Sequence, residues 1–406
     1  MIMDIIYLSS SCSEQTFNEL REKGYTKKLP QAQKYHNLLM EGLAAVLDGK
    51  LTAIAAYPVN SQWTKKFRFP RAEEQVGSIR YVYSAFWNRN VLRQMCRKHG
   101  AKAEIKKLYR DNPDCVIICD VLNVSLAEAA RACGKKYGIP VVGIVTDVPG
   151  HSAGARLKMQ PFINRQIAKV SGRIVAKSLK EYDGYLLLTE AMNPIVNPKG
   201  KPYIVIEGHC DSMMAQRSND LEGKTSPKVM MYAGGIHKEF GIQRLVDAFV
   251  AADIPGWECH IYGDGNYQNE LTQLCKTQMN VKYFGSQPNA LVVENQLKAS
   301  LLVNPRLTDA EYVKYSFPSK TLECMVSGTP LLTTNLPGMP TSYHEYVYLF
   351  GEETTDAFRD VLEQVLSLDA KTLYHKGQEA RSFALEEKNN VSQAKKLLEF
   401  VKTLKR

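Results

Sequence analysis

The sequence predicts an α/β protein built from two doubly wound parallel-sheet domains. Short, continuously apolar runs alternate with helix-period stretches through both halves, as they do where parallel strands are covered on both faces. Glycine or small polar residues follow nearly every run, most densely in the second half. The chain has 406 residues, long for one domain and comfortable for two with separate cores.

In the first half, segments 4–10, 51–59, 79–86, 115–120, 141–147, 185–189 and 203–207 read as strands, and 31–47, 90–109 and 124–137 as helices. Ligands of such sheets bind beyond the carboxyl ends of the strands, so the residues that follow each strand are the ones to examine. After the first strand come Ser9, Ser10, Ser11, Cys12 and Ser13, and no G-x-G-x-x-G is present. Residues 60–71 read as a surface loop in which Trp63, Phe67 and Phe69 alternate with Lys65, Lys66, Arg68 and Arg71. That interleaving suits a single-stranded nucleic acid and equally an anionic membrane interface. After the strand at 141–147, Asp147 and His151 lie four residues apart in one loop, where a carboxylate can orient a substrate hydroxyl and an imidazole can donate to one. Residues 156–182 read as a basic amphipathic helix, with Arg165, Lys169, Arg173 and Lys177 in a row and Ile163, Ile167, Val170, Ile174 and Val175 as its apolar stripe.

Residues 194–202 look like a surface hairpin, and the polar stretch 209–227 is the best candidate for an interdomain linker. A second series of strands follows at 228–233, 258–262, 281–284, 300–304 and 329–334, with a helix over 241–252. Gly234 and Gly235, Gly263 and Gly265, and Gly285 end three of these strands, which lets backbone approach a ligand at that edge. Arg306 follows a fourth. Then comes YSFPSKTLECMVSGTP at 315–330, a polar turn running into a helix. Pro318 fits the first helical position, and Ser316 and Ser319 are capping residue types. The unpaired N–H groups and dipole of a helix start suit an anion, phosphate above all, and Lys320 adds a charge in the first turn. Glu323 lies about 7.5 Å along the axis from Pro318, at roughly 1.5 Å per residue, where a carboxylate could accept from a sugar diol. Helices over 355–366 and 390–404 close the chain, the last with Ala394, Leu397, Leu398, Val401 and Leu404 on one face.

The formal charge of +10 favours an anionic partner without choosing among them. No apolar run approaches the roughly 20 residues of a membrane-spanning helix. The nine cysteines lack paired or zinc spacing, and the start of the chain does not resemble an export signal; a reducing cytoplasm is expected.

The motifs YAGGIHKEFGIQRLVDAF, HIYGDG, VKYFG and FPSKTLECMVSGTPLLTT, in this order, with LLLTEAMN and IVIEGHCD before them, resemble the GT-B glycosyltransferases, specifically retaining family 4 and its bacterial polysaccharide group. The resemblance implies two Rossmann-like domains facing a cleft: an acceptor-binding domain at 1–205, joined by the last helix at 388–406, and a nucleotide-sugar-binding domain at 206–387. It implies a hexosyltransferase using a nucleotide-sugar, UDP by family habit, as co-substrate, with no required cofactor or metal. The implied partners are a saccharide or lipid-linked acceptor and the inner face of an anionic membrane, with no nucleic acid. Residue by residue, it places Ser319, Lys320 and Thr321 at the diphosphate and Glu323 on the ribose. His151 falls near the family's cleft histidine and Asp147 in the acidic segment before it. The family's first glutamate falls on Tyr315, with Glu311 one turn earlier, and its diphosphate arginine on Gly235; its lysine falls on Phe240 in strict alignment, with Lys238 as the nearby lysine and Arg306 as a further cation. The departures at Tyr315 and Gly235 motivate the alternative of a non-catalytic glycosyltransferase-like partner subunit.

Overall fold

The computed structural model describes residues 2–26, 31–59, 61–148 and 172–405. They form two compact units, Met1–His209 with Asn390–Arg406, and Cys210–Asn389. The divisions fall two to four residues beyond the expected 205/206 and 387/388.

The first unit is built on β1 (Asp4–Leu8), β2 (Leu51–Ala55), β4 (Ala72–Val76), β5 (Ile79–Tyr83), β7 (Cys115–Asp120), β8 (Val141–Val145), β9 (Gly184–Leu187) and β10 (Tyr203–Val205). Their order is β10-β9-β8-β7-β1-β2-β5-β4, parallel except for the β4–β5 edge hairpin. Apart from the reversed β4–β5 hairpin, the sequence order runs outward both ways from β1, so the topological switch point lies between β1 and β7. The helix Asn390–Thr403 packs on the helix Gln31–Val46 and buries Ala394, Leu397, Leu398 and Val401 with Leu39, Met40 and Leu43. Asn390 donates its side-chain amide to Leu38 O at 3.1 Å. The last helix of the chain is therefore part of the first unit's core, and Gly42 permits it: a Cβ there would overlap the Asn390 carbonyl.

The second unit carries β11 (Lys228–Ala233), β12 (Trp257–Tyr262), β13 (Val281–Gly285), β14 (Leu301–Asn304), β15 (Leu331–Thr334) and β16 (Tyr348–Phe350), all parallel, in the order β13-β12-β11-β14-β15-β16. Its switch point lies between β11 and β14. The strand period of two divides β11 cleanly. Met230 and Tyr232 pack under the helices Ile242–Ala252 and Thr355–Leu366, while Val229 and Met231 pack under Ser319–Ser327 and Ala370–Glu387.

Several local expectations change. Residues 60–71 are not simply a loop: β3 (Arg68–Phe69) pairs antiparallel with β6 (Phe86–Trp87), and Phe69 is buried, stacked on Phe86 at 4.9 Å. Residues 194–202 form no hairpin, because β9 and β10 are parallel and the short helix Asn193–Val196 lies between them. The stretch 209–227 is not a free linker. Cys210 bridges Asn389, and Asn219 donates to Thr329 Oγ1 at 3.1 Å. Lys224 Nζ donates to Leu297 O and Thr329 Oγ1, each at 2.9 Å. Most of the stretch is exposed, but buried Asn219 and half-buried Lys224 tether it by hydrogen bonds. Of the expected basic helix, residues 172–178 are helical, but Ile174 is 42% exposed and leaves the apolar stripe. Arg165 and Lys169 lie outside the described residues. The helix Glu14–Glu22, capped by Ser13 accepting from Thr16 N at 3.0 Å, leaves only its cap and end charges as a sequence signal, since it buries only Phe17 and Leu20.

Replacing Gly42 with Ala is expected to lower unfolding free energy by about 1–3 kcal/mol through overpacking against the Asn390 backbone, read as a drop in thermal midpoint. Burial pushes the Lys224 ammonium down to about 7. Between that pH and the ordinary lysine value the unfolded chain holds the extra proton, so this residue makes stability rise with pH. A Lys224→Met variant is expected to lose that slope between about pH 7 and 10 in paired denaturant titrations.

Candidate functional site

The turns at the carboxyl ends of β11, β12 and β13 are laced together through backbone. Gly234 N donates to Tyr262 O at 2.9 Å, Gly263 N to Gly285 O at 2.8 Å and Ile236 N to Asp264 O at 2.9 Å. Gly263 has a φ of 131°, and a Cβ on it would overlap the Gly234 carbonyl. A Cβ on Gly265 would overlap Ile236 O. Only glycine allows turns this close.

A Cβ on Gly234 would in turn collide with Lys320 Nζ. The ammonium of the Ser319–Ser327 helix thus occupies the space a side chain at Gly234 would fill. It lies 4.9 Å from the ring centre of Tyr232, whose hydroxyl donates to Gly235 O at 2.9 Å. Loss of solvent pushes the Lys320 pKa down to about 8; the nearby Arg306 acts in the same direction, and Glu323 opposes it. Arg306, just past β14, packs its guanidinium 5.6 Å from the Phe240 ring and 5.3 Å from Tyr312. Its Nε is buried without a hydrogen-bond partner. Two cations and a helix start therefore meet at the β11–β14 switch point, where both crossovers leave the sheet ends uncovered.

Pro318 is the cap residue and not the first helical one: its ψ of 107° is extended, and the helix starts at Ser319. Proline has no side-chain acceptor, so the cap residue itself closes no capping hydrogen bond, and Ser316 does not serve as the expected capping group. Ser316 Oγ and Thr321 Oγ1 are both buried without a hydrogen-bond partner. Polar atoms left so in a protein interior cost about 1–3 kcal/mol each. One turn on, Glu323 faces the same strand ends: it lines a cavity of about 20 Å³ with Lys320, Ala233 and Asn304.

Other expected residues sit elsewhere. Lys238 pairs its ammonium with Glu270 at 2.6 Å, while its N–H donates to Asn266 Oδ1 at 3.0 Å. Tyr315 ends the 3-10 turn Glu311–Tyr315, whose Glu311 is exposed. Sequence reasoning missed His237: its ring abuts Gly235 and stands edge-on to Phe240 at 5.2 Å, and its Nδ1 accepts from Asn266 N at 3.4 Å. Its place two residues past the glycine pair was the available signal.

In the first unit Asp147 is exposed just beyond β8, and His151 lies outside the described residues. Trp63, Lys65, Lys66, Arg68 and Arg173 are exposed. The sequence also missed a buried polar cluster at the β1–β7 switch point. Tyr7 OH and His36 Nδ1 are 2.7 Å apart, and His36 Nε2 is 3.7 Å from Asp120. Burial pushes His209 down to about 4, and its Nε2 contacts Tyr35 O at 2.8 Å. Among the described residues no cluster of three or more His, Cys, Asp or Glu could hold a metal ion, and the nine cysteines are unpaired.

Residues 215–383, within the second unit, match the family profile described as Glycosyl transferases group 1. The second unit carries a glycosyltransferase domain. Solved structures resemble nearly the whole chain, among them the following three. Sucrose-phosphate synthase from Thermosynechococcus elongatus is 13% identical with a TM-score of 0.65, covering 99% of both chains. HepE of Anabaena in complex with UDP is 12% identical with a TM-score of 0.61, covering 99% of this chain and 100% of its own. Trehalose 6-phosphate synthase from Burkholderia multivorans is 12% identical with a TM-score of 0.61, covering 100% and 97%. At such identities the likeness is one of fold, two Rossmann-like domains of the GT-B kind. No curated protein matches the sequence.

Lys320 is charged below its pKa of about 8 and loses that charge as pH rises through it. Affinity of this edge for a small anion, measured by calorimetry with pyrophosphate, is therefore expected to fall by up to about tenfold per pH unit above that point. A Lys320→Arg variant, cationic throughout, is expected to flatten the profile.

Proposed function

We propose that the protein is a retaining glycosyltransferase. It moves a hexose from a nucleotide-sugar, a UDP-sugar, to a saccharide or lipid-linked saccharide in cell-surface polysaccharide synthesis, working at the inner face of a membrane. The observation that carries the reading is the meeting of Gly234, Lys320, Arg306 and the start of the Ser319–Ser327 helix at the β11–β14 switch point, inside the region matching Glycosyl transferases group 1. The UDP held by HepE supports the choice of nucleotide.

In this reading the diphosphate lies at the helix start, where Ser316, Ser319 and Thr321 offer hydroxyls. Pro318 and the turns at Gly235, Gly263 and Gly265 keep side chains out of its way. Glu323 accepts from the ribose diol. The bond between the anomeric carbon and the diphosphate oxygen breaks as the acceptor oxygen attacks from the same face, and the acceptor's proton passes to the leaving phosphate. Lys320 and Arg306 hold the negative charge that develops. Arg306 thereby stands in for the cation missing at Gly235, since Lys238 is paired with Glu270. Tyr315 stands where a second carboxylate was expected and contacts the donor sugar. Asp147 and His151 on the first unit orient reacting hydroxyls.

A screen of nucleotide sugars for hydrolysis and transfer tests the reading. Glu323→Ala is expected to raise the donor KM by about tenfold or more, the cost of an ionic hydrogen bond. Arg306→Ala is expected to lower kcat by about a hundredfold. An unchanged KM in the first variant removes the ribose assignment. Tight UDP binding with no turnover on any donor points instead to a non-catalytic partner subunit, the reading favoured by Tyr315 and Gly235.

A further inference from the structure

The β3–β6 ladder of the first unit sorts its residues by face. Phe69 and Phe86 point inward, stacked and each 3% exposed, while their neighbours Arg68 and Trp87 pair on the outer face. Phe67, beside them, is 50% exposed and Trp87 46%. The helix Asn90–Asp111 begins immediately after, and its first two turns turn Val91 (72% exposed), Leu92 (40%) and Met95 (51%) to solvent. These pieces are tied into one surface. Asn88 N donates to Phe67 O at 2.6 Å, and Arg93 Nη1 donates to Val59 O at 2.8 Å and Asn88 Oδ1 at 3.1 Å. Arg89 lies 5.9 Å from the Phe67 ring. Single exposed apolar residues are ordinary, but five held together on a pinned ladder and helix start are not.

We infer that Phe67, Trp87, Val91, Leu92 and Met95 dock the first unit onto an anionic lipid bilayer. The charge around them names the partner. Lys65, Lys66, Arg68 and Arg89 are all exposed, and neither segment 61–69 nor segment 84–99 contains an acidic residue. Cations beside an apolar centre meet anionic headgroups while the apolar side chains enter the acyl boundary, and tryptophan prefers the level between. A nucleic acid fits less well, because Val91, Leu92 and Met95 offer bases no ring to stack on, and only Phe67 and Trp87 do. A second copy meeting the same patch about a two-fold axis would bring like charges together. The inference deepens the membrane part of the proposed function without resting on the transfer chemistry.

The test uses the full chain and vesicles of phosphatidylcholine, with and without one-third phosphatidylglycerol. At low salt the protein is expected to sediment with the anionic vesicles at least tenfold more tightly than with the neutral ones. Of its three tryptophans, Trp63 and Trp87 are exposed and Trp257 is 4% exposed, so docking shifts the emission to the blue through the first two. The triple variant Trp87→Ser, Val91→Ser, Met95→Ser is expected to lose about tenfold or more in vesicle affinity with an unchanged thermal midpoint and unchanged UDP binding. Neutralising Lys65, Lys66, Arg68 and Arg89 to Gln is the second variant, expected to bind anionic vesicles only as weakly as neutral ones. No binding to anionic vesicles at low salt, or binding indifferent to both variants, overturns the inference. So does patch-dependent capture of a single-stranded oligonucleotide, or a patch-dependent dimer, in its place. Loss of UDP binding with docking intact would instead overturn the proposed reaction alone.

Discussion

The second unit depends on one steric constraint, the backbone approach of the Gly263 turn to Gly234. With a φ of 131° and no Cβ, Gly263 lets the turn after β12 lie directly against the turn after β11. That stacking fixes where Gly234 ends β11, and the missing side chain at Gly234 is the space into which Lys320 reaches. A methyl group at Gly263 would force that backbone apart, and one at Gly234 would displace the Lys320 ammonium. A steric fact thus decides an electrostatic one.

The electrostatic arrangement carries a cost that the fold offsets only in part. Lys320 is driven toward its neutral form by loss of water, and Arg306 beside it adds repulsion. The rings of Tyr232, Phe240 and Tyr312 return about 0.5–1 kcal/mol per contact through cation–π attraction. The unpartnered hydroxyls of Ser316 and Thr321 leave further unmet demand on the same edge. An anion would meet all of these needs together. Groups held under such tension are what the proposed donor site would use, at the expense of stability.

Much of the fold was legible, because buried parallel strands leave continuous apolar runs and their turns leave glycines. The runs at 228–233 and 281–284 needed no tertiary knowledge. The helix at 315–330 was legible as a helix, and Lys320 and Glu323 as residues near its start. What failed were features set by distant partners. Lys238 looked free until Glu270, on a different element, claimed its ammonium. Phe69 looked like part of a basic surface loop until Phe86 stacked on it. Residues 209–227 looked like a linker because polarity does not say whether a hydrogen bond is made to water or to Leu297 and Thr329. The cluster around Tyr7, His36 and Asp120 joins residues up to 113 positions apart and has no local signature.

By itself the sequence determined the two doubly wound halves, the glycine-ended strands of the second and the helix that follows β14. These follow from periodicity and backbone freedom, which are local properties. Tertiary structure alone decided the strand order that puts β11 beside β14, and with it the meeting of Gly234, Lys320 and Arg306. It also joined Phe67 and Trp87 on one exposed face. Sequence carries no record of which distant backbone fills a given space, and charge, burial and hydrogen-bond partners are settled only when that space is filled.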